Sequence, residues 1–162
     1  MKRLLTMLLV LSAVFTLAAC RNTNEPAPDV TTDEFAMILN QLFAVDGTIN
    51  LNSERMLQKI AVSESDYEDY LMRVPRGTNQ DEYGVFSATD KDSAQRIYKA
   101  VQEYFENRRA EWMDEYLQDE RHKLDAADVK LIADKYIVYV IADKDTVITA
   151  FTAAEALVKS KR

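Results

Sequence analysis

The sequence predicts a single α+β domain over residues 31–162, with helices packed on an antiparallel sheet of about four strands. Some segments place apolar residues at helical spacing, while others alternate apolar and polar residues as strands do. The chain of 162 residues contains only three glycines and three prolines. This scarcity favours long elements over a many-turned β-sandwich, and the length suffices for one core.

Two helices are predicted at the start of the domain. Thr31–Glu34 forms a capping-box pattern, and apolar residues then follow at helical spacing as far as Phe43. A turn at Asp46-Gly47 ends this helix. Ser53 is predicted to cap the second helix, whose apolar face consists of Met56, Leu57 and Ile60.

A β-hairpin and a long helix are predicted next. The segment "DYEDYLMRVP" alternates, "PRGTNQ" reads as a loop, and "EYGVFSA" supplies the second strand. A helix then runs from Asp90 to a point between Tyr116 and Arg121, with Trp112 on its buried side. Arg108 and Arg109 lie beside acids in "ENRRAEW", a pattern typical of a solvated, charged helix face.

A second hairpin and a final helix complete the domain. In "DVKLIADKYIVYVIAD" two strands are joined at Asp134-Lys135, and Tyr136–Ile141 is apolar on both faces, as in a central strand. The segment "DTVITAFTAAEALV" has a helical apolar face. Both hairpins are followed by Asp-Lys-Asp and a helix. The predicted architecture is therefore two ββα-like units with an N-terminal helical pair packed on the sheet.

The first 19 residues have the layout of an export signal. Lys2 and Arg3 precede an uncharged apolar run that is shorter than the roughly 20 residues needed to span a bilayer. The run ends in Leu17-Ala18-Ala19-Cys20, which resembles the lipobox of bacterial lipoproteins. That resemblance implies cleavage between Ala19 and Cys20 and attachment of the mature chain to membrane lipid through the acylated cysteine.

Residues 20–30 are predicted to form the lipidated cysteine and a polar tether containing Pro26 and Pro28. Removal of residues 1–19 leaves 18 basic and 27 acidic side chains, which give a formal charge of −9. Such a surface repels nucleic acid and anionic headgroups, so no nucleic-acid partner is expected. The expected location is the extracytoplasmic face of the cell membrane.

The two Asp-Lys-Asp sites are interpreted as helix caps. A calcium loop needs several oxygen ligands and a distal bidentate glutamate, and neither "DKDSAQRIY" nor "DKDTVITAF" supplies them. An aspartate before a helix instead accepts bonds from free backbone N–H groups and meets the positive end of the dipole. No metal or other cofactor is predicted.

His122 is the only histidine, and in "LQDERHKLD" it lies among acids. We interpret it as a solvated residue near a helix end. The alternative is a general base acting with Glu115, Asp119 or Glu120 in a cell-envelope hydrolase. The sequence contains no G-x-S-x-G, P-loop, G-x-G-x-x-G or H-E-x-x-H motif, so no catalytic residue is assigned.

The eight tyrosines leave two interpretations open. Tyrosine is common both in strands and at interfaces, so these residues could pack in the sheet or form an exposed recognition face. The tyrosines on predicted strands are Tyr67, Tyr70, Tyr83, Tyr136 and Tyr139.

The lipobox, the tether, "YLMRVP…DEYGVFSATDKDSAQRIYKAV" and "YLQDERHKL…ADVKLIADKYIVYVIADKD" together resemble small Gram-positive lipoproteins of the domain of unknown function 4358 family, over roughly Thr32 to Leu157. The resemblance implies a small α+β domain at the cell surface and transfers no activity. In that family the second hairpin often turns at a glycine, whereas Ala133-Asp134-Lys135 stands here.

We therefore expect a lipid-anchored, non-catalytic binding module that interacts with an envelope protein or the cell wall. The envelope hydrolase is the first alternative. The second is a solute-binding accessory lipoprotein, although the domain is small for two lobes that close on a solute.

Overall fold

The computed structural model describes residues 26–43, 47–113, 115 and 117–162. Within them, five strands form one antiparallel sheet in the order β1-β2-β3-β5-β4. The strands are β1 (Thr48–Asn50), β2 (Tyr67–Pro75), β3 (Glu82–Ala88), β4 (Asp128–Ile132) and β5 (Tyr136–Ile141). The helices are α1 (Thr32–Leu39), α2 (Ser53–Lys59), α3 (Lys91–Ala110), α4 (Arg121–Asp125) and α5 (Lys144–Ser160).

Helices cover both faces of the sheet. On one face, α2, α3 and α4 pack through residues such as Met56, Ile97 and Leu124. On the other, α1 and α5 pack through residues such as Phe35 and Phe151. The central strands β3 and β5 are buried along their whole length, as the apolar run in β5 predicted.

The mixed helix-and-sheet class is confirmed, but two predicted details are wrong. The sheet has a fifth strand, β1, in a segment that the sequence left between two helices. The N-terminal helices are also not a pair, because β1 separates them and they lie on opposite faces. The order ββα is present twice, as β2-β3-α3 and β4-β5-α5.

Several element ends differ from the predicted ones. The capping box of Thr31 and Glu34 is present, but α1 ends at Leu39 instead of continuing to Phe43. The N-cap of α2 is Asn52, whose side chain accepts a hydrogen bond from the backbone N–H of Arg55. The prediction that Ser53 is the N-cap was therefore wrong by one residue. The third helix ends at Ala110, before Trp112, and the chain then enters a turn.

The segment before α1 is docked on the sheet. The hydroxyl of Tyr136, at the start of β5, donates to the carbonyl of Pro28 at 2.5 Å and accepts from the backbone N–H of Val30 at 2.9 Å. Val30 is buried. The last three residues of the predicted tether, 28–30, therefore lie against the domain, and the chain reaches it at this end of β5.

Candidate functional site

A cavity of about 450 Å³ opens on the α2–α3 face of the sheet, within the size range of small-molecule sites. Its floor is apolar, with Ile49, Leu51 and Val74 supplied by β1, the residue after it and β2. The polar walls come from one face of α2, the loop 76–81, the start of β3 and the end of α3. These wall residues include Arg55, Gln58, Lys59, Gln80, Glu82 and Arg108.

Glu82 is the centre of a buried polar cluster beside this cavity. The residue is 1% exposed. Its Oε1 accepts bonds at 2.9 Å from the hydroxyls of Tyr104 and Tyr139, and its Oε2 accepts from Arg108 Nη1 at 3.0 Å. A buried carboxylate is tolerated only when it is paired and hydrogen-bonded, and this one is both.

Burial raises the pKa of Tyr104 and of Tyr139, and the neighbouring charge of Glu82 adds to the effect. Both tyrosines therefore stay protonated and act as donors to the carboxylate. Burial alone would lower the pKa of Arg108, but Tyr104 and Glu82 outweigh it and raise that pKa. Glu82 is therefore surrounded by two protonated phenols and one guanidinium, all of which donate to it.

Arg108 connects this cluster to the loop at the mouth of the cavity. Its Nη1 donates to the Tyr104 hydroxyl at 2.7 Å, and its Nη2 donates to the side-chain oxygen of Gln80. The side chain keeps 20% of its surface exposed and lines the cavity. The prediction that Arg108 lies on a solvated face was wrong. Arg109 is also engaged, because its Nε donates to the carbonyl of Leu124 at 3.2 Å.

The loop 76–81 is held by α4 and the turn before it. Lys123 Nζ lies 3.0 Å from carboxylate oxygens of both Asp81 and Glu120. Burial alone would lower the pKa of Lys123, but the hydrogen bonds that it donates to Glu120 and Asp81 outweigh this effect and raise that pKa. Glu120 also accepts from the backbone N–H of Gln80 at 3.0 Å. The cavity mouth is therefore preorganised by charge-assisted bonds.

The exposed rim of the cavity is cationic. Arg55 and Lys59 lie one helical turn apart on α2, and both side chains line the opening. Lys59 Nζ lies 5.9 Å from the ring centroid of Tyr104, within cation–π range. Glu82 is the only carboxylate among the described residues of the cavity lining, and it is paired with Arg108.

A smaller cavity of about 250 Å³ adjoins the first and shares Gln80 and Arg108 with it. Trp112 lines this second cavity, and its buried Nε1 has no hydrogen-bond partner in the described part of the chain. A buried donor without a partner destabilises the free protein. A ligand acceptor that hydrogen-bonds to this donor would remove that cost.

The residues of the hydrolase alternative are not brought together. His122 is in α4 with 57% of its side chain exposed, and its Nε2 lies 2.5 Å from Oδ1 of Asp143. Glu120 binds Lys123 and the Gln80 backbone instead, and Glu115 and Asp119 are exposed. No cluster of three or more His, Cys, Asp or Glu suited to a metal is present over the described ranges.

The two Asp-Lys-Asp sites behave differently. Asp90 caps α3 as predicted, because its Oδ1 accepts from the backbone N–H of Ser93 at 2.7 Å. Asp143 occupies the equivalent position before α5, but its side chain makes no capping bond and faces His122.

Three of the tyrosines on strands pack in the core. Tyr83, Tyr136 and Tyr139 are fully buried, whereas Tyr67 and Tyr70 are half-buried. Ala19 and Cys20 lie outside the described residues. No helix in the part of the chain that the structure describes is long and apolar enough to cross a membrane.

The sequence did not reveal the cavity residues. The one available signal was Glu82, an acid at the first position of the segment "EYGVFSA" that was predicted as a strand. A charge in a central strand requires a partner, and an arginine on the following helix is the natural candidate.

The comparisons with known proteins identify a family and nothing finer. No curated protein and no solved structure matches the chain. The model of one family matches residues 49–142, which contain β2 to β5, the last two residues of β1 and every described residue of the main cavity lining. Since this match spans more than half of the chain, the protein belongs to the family described as domain of unknown function (DUF4358).

Proposed function

We propose that the protein is a lipid-anchored, extracytoplasmic binding module without catalytic activity, attached to the cell membrane through Cys20. The observation that carries the binding role is the preorganised cavity between α2, the loop 76–81 and α3. Its buried carboxylate is saturated by donors and paired with a cation, which suits recognition better than proton transfer.

The place where the N-terminal segment joins the domain supports a cavity that opens away from the bilayer. The N-terminal segment meets the domain at Tyr136, which pairs with Ser87 at the far end of β3. Glu82 starts β3 at the opposite end, five residues from Ser87, or about 17 Å at strand spacing. A ligand in the envelope space could therefore reach the cavity while the acyl chains hold the other end.

A second candidate, the solute-binding accessory lipoprotein, is favoured by the concave shape and size of the cavity. The described residues include three large apolar side chains that are exposed, which is few for an apolar docking surface for a folded envelope protein: Met37, Met113 and Ile148. A small molecule or a short cell-wall fragment is the preferred partner.

The binding role is tested by blocking the cavity. Gln58 is exposed on α2 and lines the opening, so Gln58→Phe should fill it without entering the core. Gln102→Phe is the matched control, because Gln102 is an exposed helical glutamine outside the cavity lining. The wild-type chain and Gln102→Phe should retain the same compound from a small-molecule cell extract in native mass spectrometry, and Gln58→Phe should not.

Equal retention by all three proteins, or retention by none, would contradict the binding role. Chemical turnover of the retained compound would favour the hydrolase alternative. The anchor is tested separately with Cys20→Ala, which should abolish labelling by a radioactive fatty acid and partition into the aqueous phase of a detergent extraction. A variant that still carries label would contradict the anchoring proposal.

A further inference from the structure

We infer that the cavity recognises a small organic anion, whose carboxylate or phosphate head group binds among Arg55, Lys59 and Arg108 and whose apolar body lies on Ile49, Leu51 and Val74. This inference rests on the proposed binding function and names the class of ligand. It follows from three features of the cavity: its charge, its exposed donors and its floor.

The charge of the cavity opposes that of the whole protein. The chain has a formal net charge of −7, yet three cationic side chains and one carboxylate line this opening. The carboxylate of Glu82 already has a 3.0 Å contact with Arg108. Among the described residues, neither Arg55 nor Lys59 forms an ion pair. A cationic opening on an acidic surface concentrates small anions and discriminates against cations.

The three cations are held differently, and this suits an anionic head group. Arg108 is fixed by Glu82, Tyr104 and Gln80, so little side-chain entropy is lost when its remaining donors bind. Arg55 and Lys59 are exposed on α2 and can close over the opening. A guanidinium fork matches the geometry of a carboxylate or phosphate, and the lysine adds a point charge.

The floor of the cavity selects an organic anion over an inorganic one. Ile49, Leu51 and Val74 present apolar surface that a bare phosphate would leave uncovered. The adjoining cavity extends beyond Arg108 to Trp112. The buried Nε1 of Trp112 has no partner within the described ranges and can donate to a further acceptor on the ligand. The position of the opening, at the end of β3 remote from the N-terminal segment, favours a free solute over a headgroup of the anchoring bilayer.

The inference is tested with probes of one shape and three charges. The full-length chain in non-ionic detergent is titrated with 3-phenylpropanoate, 3-phenylpropanamide and 3-phenylpropylammonium, and with phenyl phosphate as a second anion. Amide resonances of residues 49–59 and 76–82 report on the main cavity, and the fluorescence of Trp112, the only tryptophan, reports on the adjoining one. Both anions should bind at least about tenfold more tightly than the amide. Their affinity should fall as salt rises.

A matched pair of lysine variants separates local charge from net charge. Lys59 and Lys159 both lie in the last turn of a helix, and both are exposed, but only Lys59 lines the cavity. Lys59→Ala should weaken anion binding by about three- to tenfold, and Lys159→Ala should leave it unchanged. Arg55→Ala should act like Lys59→Ala.

The outcomes distinguish this inference from the function on which it rests. If the amide or ammonium probe shifts the cavity resonances at the same concentration as the anions, the anion assignment is overturned while the binding role stands. An equal effect of the two lysine variants would also overturn the assignment. If no probe of any charge shifts these resonances, and no compound is retained from the cell extract, the binding role fails as well. Binding of anionic vesicles without binding of the soluble anions would overturn the assignment to a free solute.

Discussion

The two ββα units of this domain have the same order of elements but different interiors. In β2-β3-α3, residues 76–81 join the strands, the helix covers one face, and a buried carboxylate lies beside an open cavity. In β4-β5-α5, only residues 133–135 join the strands, and the helix packs on the opposite face through apolar side chains. The comparison indicates that the second unit contributes mainly packing, while the first carries the polar chemistry.

The two units pair along β3 and β5, and at one position of this ladder a tyrosine ring lies directly against a glycine. Gly84 of β3 lies opposite Tyr139 of β5, whose ring covers the glycine and whose hydroxyl donates to Glu82 at 2.9 Å. The second unit thus supplies one donor to the polar cluster of the first. Four predictions test how much this contact, the buried ion pair, the turn of the second unit and the helix cap of the first unit contribute to stability.

The largest effect is expected for Gly84→Ala. An added Cβ would overlap the ring of Tyr139, which is fully buried and hydrogen-bonded and therefore cannot move freely. We expect the free energy of unfolding to fall by about 3 kcal/mol or more, measured by urea denaturation. Gly47→Ala is the control, since its Cβ would meet nothing within 4 Å. If both variants were equally stable, the close packing of the two units would be refuted.

The next effect concerns the ion pair of the first unit. Arg108→Ala leaves the carboxylate of Glu82 buried without its cation, and we expect a loss of about 2–3 kcal/mol in the free energy of unfolding. Adding Glu82→Gln should recover part of this loss, because the unpaired charge is removed. Arg55→Ala, at an exposed arginine of the same cavity, should change stability by less than about 0.5 kcal/mol. A double variant less stable than Arg108→Ala alone would contradict the pairing.

A smaller and opposite effect is expected in the turn of the second unit. Ala133 and Asp134 have φ of 54° and 55°, in the left-handed region that disfavours residues with a Cβ. Ala133→Gly should therefore raise the free energy of unfolding by about 0.5–1 kcal/mol. Ala126→Gly, at a residue with φ of −84°, should give no gain. A loss at Ala133 would show that burial of its methyl group outweighs the backbone strain.

This turn also shows what the sequence could and could not predict. The segment "EYGVFSA" and the apolar run of β5 were identified as strands with the correct bounds for β3 and β5. A strand that is buried on both faces leaves a strong local signal in the sequence. The turn was located, but its left-handed backbone was not predictable from Ala133-Asp134, since neither residue is glycine. The three residues of β1 carry too little pattern to be recognised, and they form a strand because β2 offers an open edge.

The candidate site escaped prediction for a related reason. Its lining comes from β1, α2, the turn end of the first hairpin and the last turn of α3, so no local spacing connects its residues. Arg108 looked solvated because its neighbours in the sequence are charged, whereas its partner Glu82 is 26 residues away. The interpretation of His122 as a solvated residue near a helix end is confirmed, because 57% of its side chain is exposed. An acid placed in a central strand was the better guide to the site.

The smallest effect is expected at the repeated Asp-Lys-Asp, where the two units also differ. The backbone N–H and side chain of Ser93 hydrogen-bond to Asp90 and hold the pKa of its carboxyl below the usual 3.8. Because the folded-state pKa is depressed, this stabilisation is present above about pH 3.8 and is lost as pH falls through the folded-state value. Asparagine caps a helix as well as aspartate, without titrating. Asp90→Asn should therefore lose less Tm than the wild type between pH 5 and pH 2. Identical acid profiles for Asp90→Asn and the wild type would show that the cap of the first unit does not contribute to its acid stability.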